Sequence, residues 1–77
     1  MDEKIIDWEK VIKKEARGID DYDLGEVQEI NEQHVITKKG VVDKDKFYLP
    51  RNKVNRFDGN KLWFELTKDE AKTYKHD

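Results

Sequence analysis

The chain has 77 residues, 35% hydrophobic and 44% charged, which allows one small core and hence one domain over 1–77, because a second core would need roughly as many residues again. Its 16 basic and 18 acidic side chains nearly cancel, to −2, so the charge content implies a heavily charged surface on a folded domain rather than a self-repelling disordered chain. Cysteine is absent, which excludes disulfides, thiolate metal sites and cysteine nucleophiles.

Ordering costs about 1.5 kcal/mol per residue, so folding must draw on the aromatics Trp8, Tyr22, Phe47, Tyr48, Phe57, Trp63, Phe64 and Tyr74. The start Met1-Asp2-Glu3-Lys4 lacks the basic head and apolar run of a secretory signal, and no stretch approaches the ~20 apolar residues of a membrane span. The expectation is a cytoplasmic protein without membrane insertion.

In chain order, Ile5, Trp8, Val11 and Ile12 recur at helical spacing behind Asp7 and predict a short turn or helix, with a first strand over 13–17 as the alternative. Asp20-Asp21-Tyr22-Asp23 is rich in turn formers and predicts a tight connection. A strand follows over 24–30. Val27 and Ile30 fall on opposite faces of a regular pleat, which predicts a bulge between them. Asn31-Glu32-Gln33 is a polar turn, and His34-Val35-Ile36-Thr37 has strand composition up to Lys39-Gly40. Residues 44–49 form the next strand, with Phe47 and Leu49 on one face and Tyr48 on the other, and Pro50 stops it.

Asp58-Gly59 marks a hairpin between strands that begin at Val54 and end near Leu66. Leu62, Phe64 and Leu66 alternate with Trp63 and Glu65, so one face is core. Thr67-Lys68-Asp69-Glu70 is a capping box opening a helix over 67–74. Lys75-His76-Asp77 is expected to fray. Four or five short strands without room for parallel crossovers predict an antiparallel sheet curled into a barrel. Its expected core is Val27, Ile30, Val35, Phe47, Leu49, Val54, Phe57, Leu62, Phe64 and Leu66.

Catalytic chemistry is sparse. Serine is absent, and Thr37, Thr67 and Thr73 have no histidine in a recognisable arrangement. His34 falls in a strand and His76 near the end of the chain, and the acidic residues are spread over turns and solvated faces. An EF-hand register from Asp21 through Asp23 to Glu32 puts Gly25 at position 5 where a ligand is needed and Glu26 at position 6 where glycine is needed. No catalytic residue, metal site, cofactor or small-molecule substrate is expected.

Charge is more telling. Residues 1–33 carry 11 acidic and 5 basic side chains, and residues 34–77 carry 7 and 11, so the halves stand at −6 and +4. Arg51, Lys53, Arg56 and Lys61, with Tyr48 and Trp63 in the phase opposite the core, form the expected partner-binding surface. Its expected partner is a protein. Interleaved cations and aromatics also suit single-stranded RNA, the alternative reading. A homodimer is compatible with either, because a twin strand covers an exposed edge.

The order Leu24-Gly25-Glu26-Val27 after an acidic turn, then Phe47-Tyr48-Leu49-Pro50, then Val54 and Phe57-Asp58-Gly59 before an alternating strand resembles the PRC-barrel family over residues 8 to 74. The resemblance implies a small antiparallel β-barrel with a short C-terminal helix. Such barrels occur in the H subunit of photosynthetic reaction centres, in a bacterial ribosome-maturation factor and as standalone archaeal proteins, some associated with cell division. The resemblance implies a noncatalytic interaction or adaptor module that docks onto a larger assembly. It transfers no catalytic residues. The RNA alternative corresponds to the ribosome-maturation branch.

Overall fold

A computed structural model describes residues 6–40 and 45–76. A 3-10 turn at Trp8–Lys10 precedes strand β1, Glu15–Arg17. The acidic connection is a second 3-10 turn, Ile19–Asp21, in which Asp20 and Asp21 take φ of 63° and 61°, a region that Asp tolerates better than most side chains. Then follow β2 (Asp23–Ile30), β3 (His34–Lys39) and β4 (Asp45–Pro50). A 3-10 turn at Arg51–Lys53 leads to β5 (Val54–Phe57) and β6 (Lys61–Phe64). Helix α1 is Lys68–Thr73, and β7 is Lys75–His76.

The seven strands make one sheet in the order β5-β6-β1-β2-β3-β4-β7. It is mixed rather than wholly antiparallel, because β1 runs parallel to β6, with Glu15 beside Lys61, Ala16 beside Leu62 and Arg17 beside Trp63. A parallel pair needs a long connection. Here that connection is β2 to β5, so no helical crossover is required. The expected four or five strands become seven because β1 and β7 are only three and two residues long. Lys75 and His76 do not fray: they pair with Phe47 and Lys46 of β4.

The predicted bulge lies in β2. Val27 pairs with Thr37 and Glu29 with Ile36, leaving Gln28 as the extra residue, after which Ile30 pairs with Val35 on the core side. Gly25, also in β2, has φ +94°, and a Cβ there would stand 2.6 Å from the Lys38 carbonyl oxygen, so only glycine lets the strands approach at that point. The hairpin turn sits one residue later than Asp58-Gly59 suggests. Gly59 takes φ +96° at the first central position, while Asp58 and Lys61 flank the turn, joined by an Asp58 N–H to Lys61 carbonyl bond of 3.2 Å. Glycine at that position is what a type II′ turn requires.

The interior cluster is Val11, Ala16, Leu24, Val27, Val35, Phe47, Leu49, Val54, Leu62, Phe64, Leu66 and Ala71. Of the expected core, Ile30 and Phe57 are only half-buried and pack at its margin. Val11, Ala16, Leu24 and Ala71 come in as well, supplied by the segment before β1, by β1 and β2 inside the sheet, and by α1. Only the turn Arg51–Lys53 joins β4 to β5, which stand near opposite ends of the strand order. A 3-10 turn advances roughly 2 Å per residue, so the sheet is coiled strongly enough to bring those ends near each other. Within the described residues the ladders leave the sheet open, with β5 and β7 at its edges.

Candidate interaction surface

Residues directly paired across neighbouring strands project to the same face of a sheet, so the register defines the outer surface. One level reads Lys61, Glu15, Glu26, Lys38, Lys46 and His76 from β6 to β7. The next level holds Glu29, Ile36 and Tyr48. A third pairs His34 with Pro50. Ile36 is buried, 6% exposed, but lies outside the interior cluster; it is the apolar centre of the outer face, alternating with the core residues Val35 and Thr37. Thr37 satisfies its buried hydroxyl by donating to the Leu24 carbonyl at 2.6 Å.

The six residues expected to form one surface fall into separate groups. Trp63 and Arg56 pair across β5 and β6. The Arg56 guanidinium stands 5.3 Å from the Trp63 ring centre, and the indole N–H donates to Asp58 Oδ2 at 2.9 Å. Asp58 Oδ1 accepts from the Asn60 and Lys61 amides at 2.8 and 2.7 Å. These bonds, the one from Trp63 foremost, hold the Asp58 carboxyl at about 2, below its ordinary 3.8. Trp63 is thus half-buried and engaged within its own hairpin. Lys61 shares that hairpin. On neighbouring β1, Arg17 is bound to Glu15 at 2.6 Å, the main cause of its raised pKa.

Tyr48 lies on β4, with β1, β2 and β3 between it and Trp63 in the sheet order. Its ring meets His34 edge-on at 6.2 Å and His76 at 4.7 Å, and Lys46 Nζ stands 5.9 Å from the ring centre. Neither histidine belonged to the expected site. The strand composition around His34 gave its phase, but His76 entered through β7, which has no local signature.

Arg51 forms a third group. It donates to the Asn31 carbonyl at 2.9 Å, its amide bonds to the Gln33 carbonyl at 2.9 Å, and its guanidinium stacks 4.3 Å from the Trp8 ring centre. One side chain therefore ties the N-terminal turn to the β2–β3 turn. Trp8, Gln33, His34, Pro50 and Arg51 line an open depression of about 590 Å³ beside Tyr48. Lys53 is exposed. It borders a smaller cleft with Leu66, Glu70 and Tyr74 under α1, and its carbonyl accepts from the Glu65 amide at 2.7 Å.

Among the described residues, no three His, Cys, Asp or Glu side chains group as metal ligands, and no helix is long and apolar enough to cross a membrane. The surface presents rings held on strands, a lysine beside the Tyr48 ring and a depression lined by the Trp8–Arg51 stack. Comparison with protein-family models, curated proteins and solved structures found no match for this chain.

Proposed function

We propose that the protein is a noncatalytic protein–protein interaction module, an adaptor that docks onto a larger assembly through the outer face of β3, β4 and β7. The observation that carries this reading is Tyr48, set between His34 and His76 with Lys46 over its ring. A half-buried tyrosine on a strand offers large contact area with little rotamer entropy left to lose. The Trp8–Arg51 stack extends the same aromatic and cationic surface. Tyr48 and Arg51 are then the contact residues of the six expected. Lys53, Arg56, Lys61 and Trp63 serve the hairpin and its margin.

The coiled sheet is proposed to be a PRC-barrel-like β-barrel working in the cytoplasm. Gly25-Glu26-Val27 within β2, Pro50 as the last residue of β4, and the hairpin of β5 and β6 support that kinship. RNA is the second reading, favoured by Lys46 beside the Tyr48 ring and by Lys38 paired with Lys46, an arrangement suited to phosphate attraction and base stacking.

Affinity capture from native lysate with nuclease present tests both. The expected result is a nuclease-resistant protein partner that Tyr48→Ala loses and Trp63→Ala keeps. Capture unaffected by Tyr48→Ala would sink the proposed face. Capture lost on nuclease treatment and weakened steeply by salt would favour RNA.

A further inference from the structure

We infer that Asp58-Gly59 is a site of isoaspartate formation that the folded hairpin holds shut, so that the modification accumulates on chains whose β5–β6 hairpin has opened.

The sequence supplies the reactive pair. Of the four glycines, Gly59 alone follows an aspartate or asparagine. Its amide nitrogen can attack the Asp58 Cγ because no Cβ on the following residue obstructs the approach. The new nitrogen–carbon bond closes a five-membered succinimide, and the amide proton leaves with the hydroxyl of the protonated carboxyl as water. Solvent water then opens the ring at either carbonyl. Opening at the former side-chain carbonyl restores aspartate. Opening at the main-chain carbonyl routes the backbone through Cβ and Cγ, which adds a methylene to the chain and leaves the α-carboxylate as the side group.

Ring closure requires a protonated carboxyl, a side chain free to turn its Cγ toward the Gly59 nitrogen, and a backbone free to follow. The folded hairpin opposes all three. Asp58 Oδ1 accepts from the Asn60 and Lys61 amides at 2.8 and 2.7 Å, and Oδ2 accepts from the Trp63 indole N–H at 2.9 Å. Anchors on both oxygens fix the rotation of the carboxylate plane, so Cγ turns only after those bonds break. The same donors, with the Arg56 guanidinium 3.9 Å away, hold the carboxyl at about 2 rather than 3.8 and make the protonated reactant scarcer than in an open chain. The Asp58 N–H to Lys61 carbonyl bond and the pairing of Phe57 with Leu62 restrain the backbone. Asp58 and Gly59 are exposed, so solvent reaches the pair and the protection is one of conformation and charge.

The modified hairpin does not return to its former geometry. An isoaspartate lengthens the turn and sets its carboxylate directly on Cα, which moves both oxygens away from the amides and the indole they now meet. The damage reaches beyond the turn, because β6 also carries the parallel ladder to β1 through Leu62 and Trp63.

Ageing the full chain at constant, mildly acidic pH, with and without denaturing urea, tests the inference. Tryptic cleavage after Arg56 and Lys61 isolates residues 57–61, whose aspartyl and isoaspartyl forms share one mass and separate by chromatography. Native wild type is expected to accumulate isoaspartate at least about tenfold more slowly than the urea-unfolded chain, since hydrogen bonds to an ionised group must break first. Trp63→Phe keeps a ring on β6 but removes the indole donor. It is expected to isomerise several-fold faster than wild type under native conditions and at the same rate in urea.

Equal rates for native and unfolded wild type would overturn the inference, as would a natively folded Trp63→Phe variant no faster than wild type. If Trp63→Phe fails to fold, Asp58→Asn provides the second comparison. The same ring closure then expels ammonia in place of water, and the mass change on hydrolysis reports it. Loss of ammonia is expected to be slower in the folded variant than in urea, and equal rates there would also overturn the inference.

Discussion

Asp58 shows how one side chain can organise a turn and a surface together. Its two carboxylate oxygens accept from the Asn60 and Lys61 amides and from the Trp63 indole, so the hairpin geometry and the tryptophan orientation depend on the same charge. Its pKa is held at about 2 against an ordinary 3.8. The unfolded chain therefore takes up a proton first as the medium is acidified, and stability present above about pH 4 drains away toward pH 2. Asp58→Asn keeps an acceptor for the amides but loses the oxygen that accepts from Trp63. The variant is expected to be less stable than wild type at pH 7, with a difference that narrows as pH falls to about 2. Urea unfolding at a series of pH values, followed by tryptophan fluorescence, checks this. A constant difference across the series would mean that Asp58 is not the titrating group.

At the scale of elements, the hairpin and the capped helix were the most legible parts of the chain because their signals are local. Thr67 accepts from the Glu70 amide at 3.1 Å and Glu70 returns to the Thr67 amide at 3.0 Å, as the four-residue pattern implies. The helix is only six residues long, too short to hold itself in water. Its stability comes from this box and from Ala71, which is fully buried. Thr67→Ala is expected to cost about 1 kcal/mol, measured by urea denaturation. Because the Tyr74 carbonyl accepts from the Tyr48 amide at 2.9 Å, the loss should also loosen β7. Faster hydrogen exchange at Tyr48 in the variant would report that coupling, whereas unchanged exchange would uncouple helix and strand.

For the whole molecule, the parallel ladder of β1 and β6 is the decisive feature. Residues 15–17 meet residues 61–63, a long-range closure that buries Ala16 beside Leu62. A chain ending at Lys53 lacks β5, β6, α1 and β7 and leaves one side of β1 uncovered, along with much of the interior cluster. It is expected to lose the cooperative urea transition of the full chain. A sharp transition in the fragment would show that β1 to β4 hold a core alone.

Much of the fold was legible before the structure because its determinants lie within a few residues of each other. The alternation of Leu62, Phe64 and Leu66, the bulge needed between Val27 and Ile30, and the stop at Pro50 each follow from backbone geometry and side-chain phase. The candidate surface was legible only in part. Phase identified Tyr48 as outward, but grouped it with Trp63 because charge clustering along the chain ignores the strands lying between β4 and β6. The Arg51 stack on Trp8 joins residues far apart in sequence and had no local sign.

The sequence by itself therefore determined β2 to β6 and the helix, the turn and cap chemistry, and which face of most of those strands is buried, since those depend on interactions of short range. Tertiary structure alone decided that β1 runs parallel to β6, that His76 reaches Tyr48, and that acidic and basic residues from the two halves of the chain share one outer face. The physical reason is register. It is set by how far the sheet coils to enclose its core, and that coiling is a property of all the strands at once.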